Sequence, residues 1–358
     1  MENMGLESTI VIPTFNRHSF LVRLINYYLN DDSFESFNFV IADSSDKKFL
    51  KKNKFFINTL NKKNIKYYQF SNKIDVNKKI YLALEKVKTN FVSICADDDI
   101  IFLRSIIQSI YILKNDTQFS SVTGTFINFS VLVNGHISLA TEYPSSALTD
   151  NYAINRIRDL FISYRSLLYG THNTSTIKKT FKYLIKNKSL CFSEIFQSTA
   201  TLIAGKVFDI DNIYGARQSV TEADVHRDDW ETLAWFEKNV KNYLENYFQY
   251  FQIFLNYLMK EHKLILNKDE INFMHTSHLN FLIPKNNFQQ EKKATIILDK
   301  FWFKFVSLVN KINNSFINIC MFFFQKRHIY FDKNEYKKNF LLTKKICFIK
   351  RELNKYQK

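Results

Sequence analysis

The chain has 358 residues, 46% hydrophobic and 23% charged, a balance that allows a substantial core and excludes an intrinsically disordered polypeptide. Its four cysteines (Cys95, Cys191, Cys320 and Cys347) stand far apart with no C-x-x-C pair, which speaks against a zinc or disulfide framework and for the reducing cytoplasm. The net charge of +16 is uneven: residues 291–358 hold 16 Lys and Arg against five Asp and Glu, leaving only +5 for the preceding 290 residues.

Short β-rich runs open the chain at Ser8–Pro13, Asn38–Asp43, Ile65–Phe70 and Asn90–Ala96. Helix-period segments separate them at Ser19–Leu29, Lys47–Leu60 and Val76–Val87. This alternation predicts βαβ units around a mostly parallel sheet, and the continuous apolar character of the strands predicts helices on both faces. A helix follows at about Phe102–Lys114, and Asn134-Gly135 between FINFSVLV and HISLAT predicts a hairpin with a tight turn. Residues 152–235 read as mainly helical, and Asn239–Glu261 as one long apolar-rich helix. The domain reading is 1–235 for an α/β unit, 236–290 for a helical extension and 291–358 for a basic, aromatic, amphipathic segment. The first apolar run is short, interrupted by Pro13 and without a basic leader, so no secretory signal is expected. No apolar run approaches the ~18–20 residues of a membrane span.

The richest chemistry lies in FVSICADDDIIF, residues 91–102. A buried strand there delivers Asp97, Asp98 and Asp99 to the carboxyl edge of the sheet, where open α/β sheets bind ligands. Adjacent acids repel unless a cation or hydrogen-bond donors compensate them, and hard divalent ions prefer oxygen ligands. A solvated acidic turn or a cluster at a helix start is the competing reading. The first strand continues into PTFNR, residues 13–17, and the second ends at Asp43, which places further polar groups at the same edge.

With I-V-I-P-T-F-N-R after the start, an Asp ending strand two and A-D-D-D closing strand four, the chain resembles the inverting family 2 glycosyltransferases of the GT-A fold. The likeness covers about residues 6–130 and extends more weakly to about 230. It implies a GT-A catalytic domain that transfers a sugar from a nucleoside-diphosphate sugar, UDP-linked by preference, to a glycan or lipid-linked hydroxyl. It implies a nucleotide pocket lined by Pro13, Thr14, Asn16 and Arg17, with Asp43 on the base. Asp97 and Asp99 match the outer acids of the D-x-D motif that ligates Mn²⁺ or Mg²⁺, and Asp98 would reach the donor sugar or ribose. Lys79 would meet base or diphosphate, or be a solvated helix lysine. Relatives carry small residues where this chain has Asp75–Lys79, a departure on the ribose side. Bacterial surface-glycan synthesis, at the inner face of the cell membrane, is the setting that the resemblance implies.

Glu194 is the expected catalytic base: Ser193 reads as an N-cap, and an acid in a helix's first turn is kept ionised by the helix dipole. Asp224, Asp228 and Asp229 are alternatives. His226 stands where some GT-A enzymes place a third metal ligand, or is a surface histidine. Arg217 and Arg227 would face the diphosphate or pair on the surface; His172 would face the acceptor, and Lys206 a phosphate. A sugar nucleotidyltransferase is a competing enzyme class, but its Gly-rich loop is missing from PTFNRHSF. A nucleic-acid-binding protein is the non-enzymatic alternative raised by the basic pI, although the charge sits in the tail and no recognised nucleic-acid motif occurs, so no nucleic acid is expected as a partner.

From Trp302 the apolar positions Phe305, Val309, Ile312, Phe316, Ile319 and Phe323 recur at helical spacing, followed by a Lys-rich segment. Such a helix suits an anionic membrane surface, or packs on the catalytic domain or on a second copy in a homo-oligomer. Deleting residues 296–358 should release the protein from anionic liposomes in a sedimentation assay without loss of donor hydrolysis. Aggregation of the shortened chain would instead make the helix part of a core or interface.

Overall fold

The computed structural model describes residues 7–131, 137–143, 145–187, 191–219, 240–271 and 273–274. These all belong to one compact unit that runs to His278; a second unit, residues 279–355, lies outside the described residues, as do the expected tail helix, the Asn134-Gly135 turn and the 235/236 boundary. Among the described residues no helix is long and apolar enough to cross a membrane.

The opening alternation is present: β1 (Ser8–Thr14), α1 (His18–Leu29), β2 (Asn38–Asp43), α2 (Lys47–Leu60), β3 (Ile65–Gln69), α3 (Val76–Leu84) and β4 (Phe91–Ile94). The chain continues through β5 (Ile100–Ile101), α4 (Leu103–Asn115), β6 (Phe119–Val131), β7 (Ile137–Tyr143) and α5 (Ala153–Ile162). It then forms β8 (Thr171–Asn173), α6 (Thr174–Leu184), α7 (Cys191–Ala204), β9 (Lys206–Gln218) and α8 (Val240–His262). One mixed, mostly parallel sheet results, in the order β3-β2-β1-β4-β8-β6-β9-β5, with β7 paired to β6. β1 is parallel to β2 and β4, and β6 to β9. Because β8 is antiparallel to both β4 and β6, the carboxyl ends of β1, β2, β4, β6 and β9 share one edge.

Two sequence expectations need correction. β3 is the sheet's edge, with only Ile65 buried and Lys66 and Gln69 exposed, instead of running continuously apolar. The reading of residues 152–235 as mainly helical missed β8 and the 13-residue β9. β9 carries polar residues at Asp209, Asp211 and Asn212, where Asp211 adopts φ 44° and donates its N–H to Asp209 Oδ1 at 2.7 Å. This bulge hides the period-two signal, and the strand is stabilised by its long parallel ladder to β6, a partner remote in sequence. The β6–β7 hairpin pairing is present, from Phe126↔Tyr143 to Val131↔Ile137.

Aromatic packing places α7. Phe192 stacks on Tyr250 with centroids 5.2 Å apart, and Phe196 meets Phe254 and Tyr257 edge-on at 5.9 and 5.7 Å. Each such pair contributes about 0.5–1.5 kcal/mol beyond its buried area, so α8 fixes α7 by several independent contacts. Gly205 ends α7, and β9 starts at the amino edge of the sheet, opposite Phe119. α7 therefore begins toward the carboxyl edge, where the Asn77 amide of α3 donates to Ser193 Oγ at 2.7 Å.

The junction of β5 with β9 tolerates only glycine at position 215. A Cβ there would lie 2.3 Å from the Ile100 carbonyl oxygen and 2.7 Å from the Phe126 ring. Gly215→Ala is expected to destabilise the unit by about 1–3 kcal/mol, as overpacking does, read as a lower urea midpoint.

Candidate active site

The site is assembled at the carboxyl edge around the turn Ala96–Asp99, closed by the Asp99 N–H donating to the Ala96 carbonyl at 3.2 Å. The turn divides the three acids. Asp97 and Asp98 occupy its centre and face α1: Thr14 Oγ1 donates to Asp97 Oδ2 at 2.6 Å, and Arg17 Nη1 lies 2.6 Å from Asp98 Oδ2 and 3.5 Å from Asp97 Oδ1. Asp99 faces β9: its Oδ1 accepts from the Gln218 N–H at 2.8 Å, while Arg217 Nε lies 3.8 Å from Oδ2 and Tyr169 donates its hydroxyl. Burial, and then the neighbouring charge of Asp98, pushes Asp97 up to about 7 and Asp99 up to about 6. In both, burial disfavours the ionised form more than the neighbouring cations favour it.

Lys79 is not a solvated helix lysine. It is 4% exposed, and its ammonium donates to the Thr14 carbonyl at 2.8 Å and to Ser44 Oγ at 3.0 Å. Burial lowers it to about 8, against the attraction of Asp97 and Asp43. Asp43 is fully enclosed, its Oδ1 accepting from Ser45 N–H and its Oδ2 from Asn53 and the Tyr67 hydroxyl. As arranged, Asp43 is buried beneath these donors and shapes the loop after β2. Pro13 is half-buried at the end of β1, and Phe15 beyond it is 41% exposed with its ring 5.8 Å from the Lys79 ammonium. Asn16 adopts φ 57°, a left-handed conformation that asparagine tolerates. It is held by its N–H to Ser45 Oγ and by reciprocal bonds with Asp46, all 2.8 Å.

Glu194 lies in the first turn of α7, and its Oε1 accepts from the half-buried Tyr164 hydroxyl at 3.0 Å. Ser193 is not its N-cap: the helix starts at Cys191, and Ser193 is engaged with Asn77. Lys206 stands at the opposite, amino edge of the sheet and donates to Gln118 Oε1, away from any phosphate at the carboxyl edge. His172 does not face an acceptor; it is fully buried within β8, with Nε2 3.3 Å from the Leu168 carbonyl, and burial lowers it to about 4. His226, Arg227, Asp224, Asp228 and Asp229 lie outside the described residues.

Several residues of the site carry no local sequence signal. Arg23 donates from Nη2 to the Asp98 carbonyl at 2.8 Å, and Tyr169 and Gln218 reach Asp99 from remote segments. The pairing of β5 with β9 brings Gln218 there, while Arg23 comes from α1 and Tyr169 from the segment before β8. The donor set of the three acids fits a hard divalent cation, being carboxylate oxygen throughout. Among the described residues no three His, Cys, Asp or Glu side chains form a cage, so a cation would draw further ligands from substrate and water.

No protein-family model matches the chain, and no curated protein matches it. Solved structures of S. aureus TarS are loosely similar. TarS 1-349 is 17% identical over 77% of this chain and 81% of its own, with a TM-score of 0.46. TarS 1-349 in complex with UDP is 14% identical over 79% and 77%, with a TM-score of 0.49. TarS 1-349 in complex with UDP-GlcNAc is 14% identical over 77% and 81%, again with a TM-score of 0.49. A likeness this distant assigns the chain neither family nor activity.

The buried histidine has a measurable consequence. Between about pH 6.5 and 4 the unfolded chain binds a proton at His172 that the folded chain refuses, so stability falls as pH falls through that window. In His172→Gln the loss of stability from pH 7 to 5, followed by urea unfolding, should be smaller by about 2 kcal/mol.

Proposed function

We propose that the chain is a nucleotide-sugar glycosyltransferase, metal-dependent and inverting. The observation that carries this reading is the Ala96–Asp99 turn, which sets Asp97 and Asp98 against the end of β1 beside Arg17 and above the buried Lys79. Carboxylates and cations side by side at the carboxyl edge suit a ligand that carries both a diphosphate and a divalent ion. Phe15 and the Pro13–Arg17 segment would line the base and ribose side, and Arg17, Arg23 and Lys79 would supply positive potential toward the phosphates. Arg217, beside Asp99, would add to it from the β9 side.

Asp97 and Asp99 would hold Mn²⁺ or Mg²⁺, with Asp98 alongside and toward the sugar. Bound there, the ion would offset negative charge on the diphosphate leaving group. The inverting step also needs a base opposite that group. Glu194 is suited to it: α7 starts toward the same edge, and the Tyr164 hydroxyl fixes one oxygen while the other remains to accept the acceptor's proton. Inner-membrane association and a surface-glycan acceptor remain proposals that rest on the basic tail and the resemblance.

The direct test is a screen of UDP-, GDP- and dTDP-sugars for hydrolysis and transfer, with Mn²⁺ or with EDTA. Turnover should require the metal, and Asp99→Ala should abolish it while circular dichroism stays native; full activity in EDTA would refute the metal dependence. Glu194→Gln should lower transfer by about two to four orders of magnitude with nucleotide affinity nearly unchanged. A variant within a few-fold of wild type would remove Glu194 from the role of base.

A further inference from the structure

Among the described residues four cations surround the acidic turn, and they are held in different ways. Lys79 is locked beneath the strand ends, and Arg23 is committed to the Asp98 carbonyl and lies over the Phe20 and Phe129 rings at 5.0 and 5.7 Å. Arg217 sits on the far side, against Asp99 and the Tyr169 ring. Arg17 differs from all three. One of its nitrogens, Nη1, lies between carboxylate oxygens of two residues, 2.6 Å from Asp98 Oδ2 and 3.5 Å from Asp97 Oδ1.

The backbone beneath Arg17 is rigid, because Asn16 is tied to Ser45 and Asp46 and Arg17 itself is the N-cap of α1. Its side chain is nevertheless 32% exposed, as is 21% of the Asp98 side chain, and the guanidinium rests 5.5 Å from the Phe20 ring. A long side chain on a fixed root can re-aim its planar fork, and a diphosphate offers that fork a bidentate partner of higher charge than one carboxylate.

We propose that Arg17 is a built-in counter-ion on the Asp97 and Asp98 carboxylates, beside the place where a divalent ion would bind Asp97 and Asp99, and that a diphosphate draws it away as that ion enters. Metal and nucleoside diphosphate then bind synergistically, each raising the affinity of the other by the same factor. The proposal rests on the reading that the acidic turn holds a divalent ion, and it adds a residue that lowers the turn's affinity for that ion.

Calorimetric titration of the full chain with Mn²⁺ alone tests it. Arg17→Gln should bind Mn²⁺ about tenfold or more tightly than wild type, since even water-like screening leaves that much repulsion between a guanidinium and a divalent ion ~4 Å apart. Saturating UDP should tighten Mn²⁺ binding in both proteins, because the diphosphate attracts the ion directly, but about tenfold more in wild type than in Arg17→Gln. Arg17→Lys, which retains the charge, should stay near wild type with Mn²⁺ alone. Lys62→Gln, which removes one charge from the exposed pair with Glu35, serves as a control for net charge and should bind as wild type does. Equal Mn²⁺ affinity in wild type and Arg17→Gln overturns the counter-ion role and leaves the proposed function standing. Equal tightening in Lys62→Gln, or in Arg17→Lys, overturns it as well. Failure of both wild type and Arg17→Gln to bind Mn²⁺, with UDP present, removes the metal reading and this inference with it.

Discussion

An ammonium ion buried at the ends of two parallel strands must find oxygen partners, and Lys79 finds them in the Thr14 carbonyl and the Ser44 hydroxyl. Those two bonds tie the carboxyl end of β1 to the loop that leaves β2. Thr14 in turn donates to Asp97, while the residues after Ser44 hold Asn16 and hence the root of Arg17. Remove the ammonium, and both the acid and the cation that faces it lose their footing. The positive charge also offsets part of the field of Asp97 and Asp43, which is why a lysine can stay charged in so enclosed a place.

The second constraint is the route of the acidic turn. After β4 the chain turns at Ala96–Asp99 and re-enters the sheet as β5, whose partner is the end of β9. Asp99 is thereby pulled toward Gln218, Tyr169 and Arg217, while Asp97 and Asp98 remain with Thr14 and Arg17. Three identical side chains in a row thus acquire two environments. The close approach of Gly215 to Ile100 sets where the turn must end.

Helix α7 joins this edge from the other side of the unit. Its aromatic face is clamped by α8, its far end continues into β9, and its first turn is joined to α3 through Asn77 and Ser193. Glu194 is consequently carried on a rigid element, and the Tyr164 hydroxyl selects the orientation of its carboxylate. Side chains held in this way are suited to chemistry that depends on position.

The sequence by itself determined the βαβ alternation, since four short apolar runs separated by helix-period segments leave few other ways to bury both faces. It also determined that Asp97–Asp99 stand at a strand's carboxyl end, because the apolar run FVSICA stops immediately before them. Only the tertiary structure decided that Lys79 is buried, as helix periodicity does not reveal which face meets a strand end that supplies a carbonyl. Only there, too, did His172 enter the sheet and Asp43 become enclosed. The same holds for β9. Its local pattern is broken by the bulge around Asp209–Asp211, and its identity as a strand comes from ladder hydrogen bonds to β6, which begins more than eighty positions earlier in the chain. Contacts between residues that distant are set by the closure of the whole sheet, a property that no local window of sequence contains.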